Sequence, residues 1–170
     1  MARGNTPDML RSVFCLALGT ALAAAGACAR PGPAAAVAPT MPSDLDAAVR
    51  GTMEQWRQAY EVRSLDALAK LYAQDAGLVL VQQGEITRGW PDAAALLEAR
   101  LGKATAVRVR LHDLSIAPIG AQGATVVARM TREISDGVTT VNEDGTLTLA
   151  LRQAGQTWAI ISQHYSYPVR

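Results

Sequence analysis

The stretch TAVRVRLH, Thr105–His112, decides the fold. Val107, Val109 and Leu111 alternate with Arg108, Arg110 and His112, the period of two that belongs to a half-buried strand. The same period recurs downstream. Ala124–Ile134 places Val126, Ala128, Met130 and Ile134 on one face, and Leu147, Leu149 and Leu151 alternate with Thr148, Ala150 and Arg152. Trp158 to Tyr165 forms a last strand after the turn Ala154-Gly155-Gln156. Asp136-Gly137 and Asp144-Gly145 mark a turn-rich connection within this half.

Upstream of Thr105 the period is helical. Ser43 and Asp46 form a capping-box-like pair, and Leu45, Val49, Met53, Trp56 and Tyr60 follow at steps of three or four on one face. A second start at Ser64 leads Leu65, Leu68, Leu71 and Tyr72 into a helix ending near Gly77. Leu78–Val81 is a short buried strand, Gln82–Glu85 a turn and Ile86–Arg88 a return strand. Pro91 suits the first turn of a third helix, whose stripe is Trp90, Ala94, Leu97 and Leu101 and whose stop is Gly102. Three helices followed by long antiparallel strands make an α+β domain with the helices over one face of a curved sheet.

The first 28 residues read as an export segment. Arg3 and Arg11 flank a polar start, and Ser12–Ala27 is apolar or small throughout, shorter than a spanning helix needs. Ala25-Gly26-Ala27-Cys28 resembles a bacterial lipobox, in which Cys28 is acylated, although Ala25 stands where a larger aliphatic is usual. Ala25-Gly26-Ala27 also fits ordinary signal-peptidase cleavage, so a periplasmic or cell-surface lipoprotein and a secreted protein both stay open. Residues 29–42, with prolines at 31, 33, 39 and 42, form a stiff Pro/Ala-rich linker, and 43–170 the folded domain.

Composition narrows the function. With Arg3, Arg11 and Asp8 of the leading segment set aside, basic and acidic residues balance, so nucleic acid is not expected as a partner and a membrane only through a lipid anchor. The two cysteines, Cys15 and Cys28, both fall in the export segment, which leaves the domain without a disulfide, a thiolate nucleophile or a Cys-based zinc site. His112 and His164 are far apart in sequence, and no Gly-rich phosphate loop opens a helix, so neither metal nor cofactor is expected. Ser162 and Ser166 lie beside His164 on one strand, without the sharp turn a nucleophilic serine needs.

The order of elements, together with Trp56, Ser64-Leu65-Asp66, Leu71–Ala76, Gly89-Trp90, Trp158-Ala159-Ile160 and His164-Tyr165-Ser166, resembles the NTF2-like superfamily, in particular its SnoaL-like and DUF4440 branch and the calcium/calmodulin-dependent kinase association domain. The resemblance implies a cone with a pocket between helices and sheet, and commonly a homodimer. Against ketosteroid isomerase, it places the general-base aspartate at Leu80, the oxyanion tyrosine at Trp56 and the second acid at or near Leu147. None of the three carries the needed group, which argues against isomerase chemistry by that route. The acid–arginine–acid arrangement of limonene-epoxide hydrolase-like members has no obvious strand-borne acid here, Asp113 reading better as a strand-end turn.

What remains is a cup with a few polar groups. Arg132 shares the face of Val126, Ala128 and Met130, and His164 takes the family's His-x-Ser position. If both look inward, they suit a small polar or anionic ligand, with Trp56, Tyr60, Tyr72, Trp90 and Met130 lining the pocket. Arg132 pairing with Glu133 or Asp136, His164 satisfied in the core, and the aromatics as packing are the structural alternatives. A stripe of Thr157, Ala159, Ile161 and Tyr165 is apolar enough to suggest self-association through the sheet. The expected function is a non-catalytic ligand-binding or interaction module tethered to a membrane; the alternative is a SnoaL-like or isomerase-like enzyme with an unrecognised catalytic set.

Overall fold

The computed structural model describes residues 43–168; the export segment with Cys28, the linker 29–42 and the last two residues lie outside the described residues. Helix α1 (Ser43–Glu61) buries Val49, Met53, Trp56 and Tyr60, the stripe set by its apolar spacing. Asp46 accepts from Arg50 Nε one turn on, at 2.6 Å. Helix α2 (Leu65–Ala69) starts where Ser64 Oγ accepts from the Ala67 amide, and it is far shorter than the sequence pattern suggests. It stops because the next backbone groups find strand partners. The Ala73 amide donates to Ile160 O, and the Ile160 amide to Leu71 O, so Leu71 and Tyr72 leave the helix to lie along the sheet.

The hairpin β1 (Val79–Gln82) and β2 (Glu85–Arg88) leads to α3 (Trp90–Leu101), which begins with Pro91 in its first turn. Its buried stripe runs through Ala93, Leu97 and Leu101, not Ala94. Four long strands follow: β3 (Ala106–Ile119), β4 (Gly123–Ser135), β5 (Thr140–Ala154) and β6 (Thr157–Ser166). They form one six-stranded sheet in the order β2-β1-β6-β5-β4-β3, antiparallel except for the β1–β6 pair. The helices and the inner face of the sheet share one hydrophobic core, as the α+β reading requires.

Three departures from simple alternation matter. β3 does not end at His112; it bulges between His112 and Ser115, with Asp113 at φ 53°, and continues to Ile119, so Asp113 is exposed within a long strand rather than at its end. β5 runs straight through Asp144-Gly145, and the only turn between β4 and β5 is the one at Asp136–Thr139, held by Asp136 accepting from the Val138 and Thr139 amides. Gly145 is there for space: a Cβ would stand 2.0 Å from Ser166 O and 2.8 Å from Tyr167 Cβ. β6 carries an extra residue at Ile161, between Ile160 opposite Leu151 and Ser162 opposite Ala150. No helix among the described residues is long and apolar enough to cross a membrane.

Candidate functional site

The strongest convergence of polar groups lies at the open end of the cup. Arg132 on β4 is 1% exposed, and its Nε donates to Glu143 Oε2 of β5 at 2.7 Å. Residues 132 and 143 are direct cross-strand partners, which puts both side chains on the inner face. Glu143 is 2% exposed, and Arg100 from α3 donates to its other oxygen. The Arg132 guanidinium lies over the rings of Tyr165, 5.0 Å from the centroid, and Tyr60, 5.8 Å away. Arg132 thus faces inward, and its carboxylate partner is Glu143; Glu133 turns instead to Arg110.

Deeper in the cup is a second network. Tyr72 Oη donates to Gln163 Oε1 at 2.5 Å and accepts from Trp56 Nε1 at 2.8 Å, with Tyr60 Oη 3.5 Å away. Burial pushes the Tyr72 phenol well above its ordinary value, and neighbouring Tyr60 adds to this, against the opposing donation from Trp56. Burial likewise raises the Tyr165 phenol, whose Oη donates to Met130 O at 3.2 Å. These hydroxyls are held as neutral donors, which suits them to structure or hydrogen-bonding and not to proton abstraction at neutral pH. Trp56, Tyr60, Tyr72 and Met130 are buried in the core, and Trp90 stacks on Tyr72 at 5.8 Å from the half-buried edge.

Leu80 and Leu147, 3% and 0% exposed, are inside the core. His164 is a correction. The bulge at Ile161 turns Gln163 and Tyr165 inward and His164 out, so His164 is exposed on the opposite face from Arg132. For the same reason Tyr165 leaves the outer stripe proposed for self-association, while Ala159 and Ile161 stay on it, partly buried.

A cavity of about 290 Å³ is lined by Thr131, Val141, Asn142, Glu143, Asp144, Tyr167 and Pro168; of the ion cluster only Glu143 lines it, and none of the aromatic candidates does. Tyr167 forms one wall: its ring sits 4.9 Å from that of Tyr165, and its hydroxyl is 3.1 Å from Gln82 Nε2 and 3.5 Å from Arg100 Nη2. Glu143, Arg100, Gln163 and Tyr167 are the site residues that sequence reasoning missed. Glu143 had a signal, since the odd-numbered parity of Leu147, Leu149 and Leu151 extends back to it once Asp144-Gly145 is not taken as a turn. Among the described residues no cluster of three His, Cys, Asp or Glu gathers as it would around a metal.

A curved, mostly antiparallel sheet closed on one side by three helices, with its polar groups at the open end, defines the NTF2-like fold. The match of a family model over residues 49–170 goes further: the chain belongs to the SnoaL-like domain family. No curated protein sequence is similar enough to match it. Among solved structures, an NTF2-like superfamily protein of Salmonella enterica serovar Typhimurium LT2 is similar with a TM-score of 0.68 at 16% identity, covering 75% of this chain and 94% of that one. An NTF2-like protein of unknown function from Pseudomonas putida KT2440 scores 0.66 at 22% identity, with 77% and 92% covered. A candidate scytalone dehydratase from Novosphingobium aromaticivorans DSM 12444 scores 0.68 at 12% identity, with 74% and 85% covered.

Proposed function

We propose that this is an exported SnoaL-like module, close to the DUF4440 branch, that binds a small ligand without transforming it and is tethered to a membrane through acylated Cys28. The observation that carries the non-catalytic half is the chemistry of the interior. Hydrocarbon stands at Leu80 and Leu147, where isomerase chemistry needs acids, and both oxygens of Glu143 are engaged by arginines. A carboxylate so engaged is poorly placed to take a proton from a substrate. The binding half is supported by the cavity at the mouth, where charged and apolar groups meet. The tether is supported by Ala25-Gly26-Ala27-Cys28 followed by the Pro/Ala-rich spacer, which suits a periplasmic or cell-surface lipoprotein; cleavage without acylation would make it a secreted one.

Native mass spectrometry of the full chain, purified from a bacterial membrane fraction, tests this reading. It should show a retained small molecule, and palmitate labelling should vanish in Cys28→Ser. Equal labelling of the variant overturns the tether. A second reading rests on Glu143 as a buried carboxylate beside a cavity: an enzyme of isomerase or cyclase type in which substrate displaces the arginines. Turnover of an unsaturated ketosteroid that Glu143→Gln abolishes would favour it. We also propose a homodimer through the outer sheet face, where Val127, Ala159 and Ile161 stay at least partly exposed; sedimentation at micromolar concentration should show a dimer, and a strict monomer overturns this.

A further inference from the structure

We propose that the groove between helix α1 and the free edge of strand β3 takes an extended acidic peptide, which adds to β3 as a further strand and sets its carboxylates against Arg50, Arg57 and Arg110. The groove shares no lining residue with the mouth cavity, so the occupancy of one does not decide that of the other.

β3 is the last strand in the sheet order and has a ladder on one side only, with β4. One contact shows which backbone groups face the open side. The Val109 amide donates to Glu61 Oε1 of α1 at 3.1 Å, so it points away from β4. In an antiparallel ladder the residue two positions on is oriented the same way. The N–H and C=O of Leu111, opposite Met130 in the regular part of the ladder, therefore also face outward, as does the Val109 C=O. The bulge between His112 and Ser115 ends this track. Glu61 shows what the edge accepts, since a carboxylate oxygen already satisfies one of its amides.

A cavity of about 460 Å³ lies along this edge. Val109, Arg110, Leu111 and His112 all line it. Consecutive strand residues point to opposite faces, so a cavity that touches all four abuts the edge of the strand and not one face of it. On the other wall, Arg50, Met53, Glu54 and Arg57 fall at the spacing of one stripe of α1. Four strand residues span roughly 13 Å, and an extended chain of the same length pairs with them. Leu111 and Leu114, both half-buried, give its side chains apolar contact.

Charge selects the peptide. Three arginines line the groove against one carboxylate, Glu54. The acids paired with Arg50 and Arg110, Asp46 and Glu133, lie outside the lining. These two arginines are 50% and 54% exposed, where an ion pair contributes little. Each also keeps N–H groups beyond those its partner takes, so an incoming carboxylate is bound without displacing the acid already there.

Fluorescence anisotropy of the full chain with a rhodamine-labelled, amidated peptide, Thr-Glu-Val-Glu-Thr, tests the site. This peptide should bind about tenfold or more tightly than its counterpart with lysine for glutamate. The double variant Arg50→Gln, Arg110→Gln, changed at exposed positions, should weaken binding about tenfold while the melting temperature holds. Two further peptides, N-methylated at alternate residues in the two possible phases, leave the protein untouched. One should lose binding and the other keep it, because only every second amide faces β3. No rise in anisotropy with the acidic peptide, equal binding of the lysine peptide, or undiminished binding by the double variant would overturn the acidic-peptide assignment. Retention of both N-methylated peptides would overturn pairing with the edge. Binding of phosphatidylglycerol vesicles that the double variant loses, with no peptide bound, would reassign the groove to a lipid surface.

Discussion

β4 and β6 both run through the interior of the sheet, and they keep their side-chain order differently. Along β4, Ala124, Val126, Ala128, Met130 and Arg132 are all buried, and its ladder with β5 has no irregularity. Along β6, Trp158 and Ile160 are buried, then the extra residue at Ile161 intervenes, and the buried positions become Gln163 and Tyr165. One inserted residue moves everything after it to the other face. On β4, unbroken alternation carries an arginine to the mouth of the cup. On β6, broken alternation brings a glutamine to Tyr72 and a tyrosine ring to Arg132, and sends a histidine to solvent.

Removing what the irregularity brings inward should have the largest effect. The double variant Gln163→Ala, Tyr165→Ala empties the two buried positions that follow Ile161 on the inner face. Loss of a buried aromatic and of the Tyr72 acceptor together should lower stability by more than about 4 kcal/mol. Urea unfolding measures it; a loss under about 1 kcal/mol would show that Gln163 and Tyr165 are not packed inward past the bulge.

Arg132→Ala attacks the regular strand instead. It leaves Glu143 with Arg100 alone, its Oε2 buried without a partner and the space under Tyr60 and Tyr165 empty, and should cost about 3–5 kcal/mol. Arg132→Met combined with Glu143→Leu removes both charges and should recover most of that loss. If the double variant is as unstable as the single one, packing and not charge explains the effect. Gln163→Ala is a smaller change on β6. It deprives Tyr72 Oη of its acceptor in a fully buried position, for about 1–3 kcal/mol by thermal or urea unfolding.

What the sequence made legible follows the same division. Wherever the hydrophobic period ran unbroken, as in α1 from Val49 to Tyr60 and β4 from Val126 to Arg132, the inward face could be read directly. The misreadings fall at interruptions. Leu71 and Tyr72 fit a helical stripe but pair with Ile160, a tertiary choice no local pattern records. Asp144-Gly145 has turn chemistry, yet its glycine answers the close approach of Ser166 and Tyr167, and this hid Glu143. The site therefore emerged only in half: Arg132 by parity, its partners Glu143 and Arg100 by contacts between elements distant in the chain.

His164→Ala should have the smallest effect, and it tests the comparison from its quiet side. His164 pairs across the ladder with Thr148 on β5 and Val81 on β1, on the outer face, and it is exposed. Truncating it removes surface that water already covers and leaves no buried donor unpaired. The expected change is within about 0.5 kcal/mol. Unfolding in dilute protein isolates the chain's own contribution, and repeating it at high concentration reports whether a second copy covers this face. A loss that appears only at high concentration would place His164 in a dimer contact. A loss above about 1 kcal/mol in dilute protein would mean that the side chain is packed inside, that β6 keeps its alternation past Ile160, and that the contrast between the two strands fails.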